Sequence, residues 1–197
     1  MAKDTPSLAG PQDYTAEEIR ELGIEANLVV PSDAHINAYQ LRNDMLLQRR
    51  AARVRYENGV TLPAAAKKLP ADAERKVRHS RILARNIKNA TGESMHAEAD
   101  SPHVVATQDA RAKRARTLLF RWGIGINDAD NGLYLPKTWA SVVPGLEDAT
   151  AHEIIHTTAY HVAVTFKLQT TRPSNEVAGR KALRDIKQDI LSNDFDY

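Results

Sequence analysis

Short strands bounded by proline and glycine constrain this chain more than any other feature of it. Residues 103–106 (HVVA) and 133–136 (LYLP) are the strand-like runs of its second half, and Pro136 stops the second. Strands this short bury too little to stand alone, so flanking helices must supply most of the core. The remaining patterns are helical. Ser32 or Asp33 caps a helix through residues 37–57 that stops at Asn58-Gly59, with Ile36, Tyr39, Met45 and Leu46 apolar and Arg49, Arg50, Arg53 and Arg55 forming a basic face. A second helix is expected from about Asp72 to Ile87 or Asn89, ending at Thr91-Gly92. A third opens at Gln108 or Asp109 and ends at Gly123, a fourth spans about Ala151 to Gln169, and a fifth about Asn175 to Leu191. Residues 92–101 (GESMHAEADS) are polar and acidic enough to act as a linker. The expected fold is α+β and predominantly helical, with a helical accessory region over residues 1–97 and a second domain over 98–197.

The 197 residues contain no cysteine, which excludes disulfides, thiolate metal sites and cysteine nucleophiles and fits a reducing compartment. No apolar stretch approaches the roughly 18 residues that span a bilayer, so no membrane partner is expected. The polar, acidic N-terminus has no apolar core of a secretory signal, so the expected location is the cytoplasm of the producing cell. Net charge is only +2, from 27 basic and 25 acidic side chains, but it is segregated. Residues 1–35 sum to −5, 36–90 to +9, 91–110 to −4 and 111–122 to +5. Basic blocks of this kind attract a polyanion at short range even on a near-neutral chain.

Seven histidines offer imidazoles, and His152 and His156 are the pair with ligand spacing. Four residues apart in a helix, they share one face and reach a single divalent ion. The string HEIIH over 152–156 also satisfies a zinc-protease pattern, in which Glu153 is the general base. That reading lacks a third ligand at the usual spacing, other than His161 or Glu176, and lacks a long edge strand to hold a peptide.

Taken together, HVVATQDARAKRARTLLFRWGIGINDADNGLYLP and HEIIHTTAYHVAVTFKL resemble the AHH-type nucleases of the HNH/Endonuclease VII superfamily, common as toxin tips in bacterial competition. The likeness covers residues 101–168. It implies a small ββα-metal finger surrounded by helices, acting as a metal-dependent, non-specific DNA endonuclease. His103 would be the general base, and Asn131 would either brace the loop carrying His103 or ligate the metal. His152 and His156 would hold the metal, and Thr157 and Tyr160 would order the helix. Arg111, Lys113, Arg114 and Arg116 would neutralise phosphates of the bound DNA.

One position departs from the family pattern. The first of its two consecutive histidines is Pro102 here, in Ser101-Pro102-His103. A proline cannot ligate, so two imidazoles and water remain unless Asp100, His96 or Asn131 fills the gap. Such a donor set favours Mg²⁺ or Mn²⁺ over Zn²⁺ or Ni²⁺. The expected role is an antibacterial toxin or secreted effector that works in the cytoplasm of a target cell. Its expected partners are DNA, a cognate immunity protein and a secretion-system component engaged through the N-terminal helices. The alternatives are a zinc metallopeptidase and a catalytically degenerate nucleic-acid-binding or scaffold protein.

Overall fold

A computed structural model describes Met45 and residues 53–197 with the exception of Arg172. The chain divides into two compact units at Ala52/Arg53, upstream of the boundary expected at 97/98. The helix expected over 37–52, its basic face at Arg49 and Arg50, and the rest of the N-terminal arm lie outside the described residues.

The second unit is α+β and mainly helical. Strands β1 (Tyr56–Glu57) and β2 (Val60–Thr61) pair antiparallel, then come α1 (Lys68–Ala73) and α2 (His79–Thr91). Strand β3 (Ala99–Asp100) pairs antiparallel with β4 (Leu135–Pro136), and α3 (Lys113–Arg121) lies between them in sequence. Helices α4 (Thr158–Thr170) and α5 (Glu176–Leu191) close the chain. As expected, helices supply most of the core. Leu119, Tyr160, Val164, Leu168, Leu183, Ile186 and Ile190 are buried in one cluster with Val104, Val105, Ile124 and Leu135.

Several boundaries differ from expectation, each for a local reason. Residues 53–57 are not helical. Asn58 and Gly59 both have positive φ (48° and 79°), which turns the chain into a hairpin rather than ending a helix. The helix expected from Asp72 is two helices, because the chain breaks over residues 74–78 and the Arg75 carbonyl faces the His79 ring at 3.0 Å. Its expected end holds, with Gly92 in the left-handed conformation as C-cap.

The strand expected over 103–106 lies instead at 99–100, inside the expected linker. Pro102 has no N–H to extend the ladder, and only His103 continues it, through a single antiparallel bridge to Gly132. Gly132 has no room for a side chain, since a Cβ there would meet Leu83 of α2 at 2.5 Å. This close approach seats α2 directly against the His103 strand.

Candidate active site

Asn131 is fully buried and stands in for the missing strand. Its Oδ1 accepts from Val105 N at 2.9 Å, and its Nδ2 donates to the carbonyls of Ile126 (2.8 Å) and Val105 (3.2 Å). The Asn131 carbonyl accepts from Val104 N at 2.9 Å. The oxygen and the nitrogen of this amide are both engaged with backbone, the geometry of a side chain that braces the loop around His103. Tyr160, also fully buried, donates from its hydroxyl to the Val104 carbonyl at 3.1 Å. The segment after His103 is therefore pinned from both sides.

His103 itself is buried, and its Nε2 lies 3.2 Å from Asn127 Oδ1. The same oxygen lies 3.1 Å from Nδ1 of His79, at the start of α2. Asn127 is in turn held by Asn86 of α2, whose Nδ2 donates to the Asn127 carbonyl at 2.7 Å. Burial pushes the His103 imidazole down to about 4, against the opposing pull of its bond to Asn127, and the nearby His79 and His156 lower it further. His103 is thus a neutral imidazole at pH 7. It opens on a surface pocket of about 330 Å³ shared with His79, Ser80 and Thr107.

His152 and His156 are brought together, but not on a helix. Residues His152–Ile154 form a 3-10 turn, and His156 has φ = 66°. Helix α4 starts only at Thr158 because the Thr157 hydroxyl caps it, accepting from Tyr160 N at 3.1 Å. The helix expected from Ala151 is corrected accordingly. With it goes the single helical face that the zinc-protease pattern needs, and Glu153 instead accepts from the Trp139 amide at 2.9 Å.

The imidazoles of His152 and His156 nonetheless sit with ring centroids 5.6 Å apart and planes at 85°. His161 stacks on His156 at 5.7 Å. Asp100 Oδ2 lies 2.9 Å from His152 Nδ1, the place where an outer carboxylate orients a ligating imidazole. His156 Nδ1 is buried without a hydrogen-bond partner, and burial beside His152 and His161 lowers this ring to about 4. His161 Nε2 is 3.3 Å from Asp109 Oδ2, yet off the hydrogen-bond direction and otherwise unpartnered.

Two imidazoles, one with an orphaned buried nitrogen and one oriented by a carboxylate, fit a divalent ion whose other ligands are water or phosphate oxygens. Among the described residues, no group of three or more His, Asp or Glu side chains is arranged to hold one.

The basic residues expected to meet phosphate separate into two pairs. Arg111 is tied to Asp109 at 2.6 Å and donates to the His156 carbonyl (3.1 Å) and to Thr158 Oγ1 (3.0 Å). Arg116 donates to the carbonyls of Ala106 (2.9 Å) and Asp109 (2.7 Å). Both therefore brace loops around the histidines. Lys113 and Arg114 are exposed on α3.

Sequence reasoning missed His79 and Asn127, each 24 residues from His103 and 48 from one another, separations that no local pattern encodes. Asn127 stands inside the NDADN loop, where its run of amide and carboxylate side chains was the available signal.

The arrangement sets a buried imidazole, His103, near the pair of imidazoles of His152 and His156. A family model described as a nuclease family of the HNH/ENDO VII superfamily with conserved AHH matches residues 83–190, more than half of the chain. The chain belongs to this AHH nuclease family. No curated protein and no solved structure matches it.

Proposed function

We propose that this chain is a metal-dependent endonuclease that hydrolyses DNA phosphodiesters without sequence preference and serves as an antibacterial toxin or secreted effector. The observation that carries the reading is a buried imidazole kept neutral, His103, within electrostatic reach of the unpartnered His156. In this reading β3, β4 and α4 are the ββα-metal finger, and His152 and His156 hold the ion. A divalent ion bound there supplies Lewis acidity at the phosphate and at its leaving oxygen.

His103 turns its Nε2–H to Asn127 Oδ1 and keeps Nδ1 as the lone-pair nitrogen that takes a proton from the attacking water. Asn127 fixes that tautomer, and Asn131 and Tyr160 fix the backbone on which the ring stands. Mg²⁺ or Mn²⁺ suits the nitrogen-poor donor set better than Zn²⁺ or Ni²⁺. The N-terminal residues outside the described unit are the accessory part that engages a secretion-system component. A cognate immunity protein that covers the basic surface would be acidic. The producing cell's cytoplasm is the place of synthesis, and the target cell's cytoplasm the place of action.

The test is degradation of supercoiled plasmid by the full chain with Mg²⁺, Mn²⁺ or Zn²⁺, with and without EDTA, alongside Pro102→His. Nicking that EDTA stops is expected. Failure with every metal, together with cleavage gained by Pro102→His, would sink the active-enzyme reading and assign a degenerate site.

A further inference from the structure

Residues 75–92 carry six Lys or Arg side chains and no Asp or Glu. Arg75 is spent on Asp72 at 2.7 Å. Arg78, Arg81, Arg85 and Lys88 are exposed, and their spacing of three, four and three residues aligns them as one stripe. The opposite face of α2 is buried through His79, Leu83, Asn86 and Ile87. A helix held to the core by one face thus presents to solvent a face on which every charge is positive. Nothing in the packing of α2 calls for these cations, because its buried contacts are apolar or are hydrogen bonds made by His79 and Asn86.

The stripe begins where the site does. Arg78 and Ser80 line the pocket that holds His103, whereas Arg81 and Ser80 line a second pocket, of about 250 Å³, that holds His152 and Asp100. Ser80 is common to both, so the first turn of α2 lies between the pocket of His103 and the pocket of His152. Any chain of phosphates that presents one phosphodiester to both histidines must pass this turn. Arg78 and Arg81 stand on its two sides, and Arg85 and Lys88 continue away from it. From residue 78 to 88 the stripe runs about 15 Å at ~1.5 Å per residue, long enough for about four phosphates of one strand at ~3.4 Å each.

We propose that the exposed face of α2 (Arg78, Arg81, Arg85 and Lys88) is the track that binds the sugar-phosphate backbone and leads it over Ser80 into the site. This deepens the nuclease reading and rests on it. It also moves the principal phosphate contacts away from residues 111–116, where Arg111 and Arg116 are committed to internal carbonyls and to Asp109. Because the contacts are made to phosphates by exposed cations on one helix face, binding is insensitive to sequence and sensitive to salt.

The test is fluorescence anisotropy of a labelled double-stranded DNA oligonucleotide with the full chain in EDTA, titrated at several salt concentrations. The triple variant Arg81→Gln, Arg85→Gln, Lys88→Gln should weaken binding by about tenfold or more at low salt and reduce the salt slope by ~0.9 for each phosphate contact removed. Lys181→Gln, which removes an exposed cation paired with Asp185 on α5, should bind as wild type does. Thermal melts confirm that the variants are folded. Unchanged affinity and slope in the folded triple variant overturn the track alone. Absence of DNA binding by the wild type overturns the nuclease reading and the track with it.

Discussion

His156 combines three features that rarely meet in one side chain. It is a histidine at φ = 66°, its Nδ1 is buried without a partner, and its ring is packed between His152 and His161. Left-handed backbone at a non-glycine residue costs about 1–2 kcal/mol, and such strain persists where the surroundings over-determine it, often at functional sites. Here Arg111 holds the His156 carbonyl and Thr157 starts the helix immediately after it. His156→Gly should therefore raise the melting temperature of the metal-free chain while abolishing cleavage. A lower melting temperature would show that the ring contributes more packing than the backbone strain costs.

The same two rings set a pH dependence. His103 and His156 titrate near 4 in the fold against about 6.5 in an unfolded chain. Between those values the unfolded state binds more protons, so stability must fall as pH drops below about 6.5 and level off near 4. His103 alone carries about 3 kcal/mol of that loss as an order of magnitude. Urea melts of the metal-free protein from pH 7.5 to 4.5 would show it, and His103→Gln should flatten the profile. A profile that is equally steep in His103→Gln would contradict the assignment.

At the level of elements, the loop of residues 123–132 does more to build the site than any helix. Its Asn127 meets His103 and His79, its Asp128 meets Arg180, and its Asn131 replaces a strand ladder. Asn127→Ala should cost about 1–3 kcal/mol, because buried partners lose their hydrogen bonds, and should lower kcat with little change in KM. An equal loss in both parameters would point to a role in DNA binding instead.

Much of this level was legible in the sequence. Asp109 caps the 3-10 turn Ala110–Ala112 that leads into α3, Asn175 caps α5, and Gly92 ends α2 as its identity predicts. Asn131 hydrogen-bonds the backbone after His103, Thr157 caps α4, and Tyr160 donates to the Val104 carbonyl. The failures share a cause, which is that tertiary partners took over backbone groups that local propensity would have used. Val104 and Val105 are β-branched, yet only the Val104 amide keeps a ladder bond, to the Asn131 carbonyl, while the Val105 amide goes to the Asn131 side chain. His152 to His156 have a helical spacing, yet Thr157 caps the helix about two turns later than expected, leaving His152–Ile154 in a 3-10 turn and His156 in left-handed backbone. Arg111 and Arg116 read as surface cations, but carbonyls 10 to 45 residues away claim them.

Across the described unit, one buried ion pair ties distant parts together. Asp128 is fully buried and receives both Arg180 terminal nitrogens, at 2.8 and 3.1 Å, as well as the Thr61 amide and hydroxyl. Hairpin β1–β2, the 123–132 loop and α5 thereby meet at one carboxylate. Arg180 also reaches Asp130 at 3.0 Å and Glu176 at 2.9 Å. Arg180→Ala leaves that charge buried and unpaired, so it should destabilise the protein by about 3–5 kcal/mol. Chemical denaturation that shows a loss below about 1 kcal/mol would mean that water reaches Asp128 readily.

The whole unit can then be described as a frame that fixes one loop, and a loop that fixes one imidazole. The most direct measurement of that claim is the initial rate of metal-supported plasmid cleavage by His103→Ala against wild type, at equal folded fraction. A loss of about a hundredfold or more is expected, the contribution of a positioned general base. A variant that cleaves within a few-fold of wild type would contradict it and place the proton acceptor elsewhere.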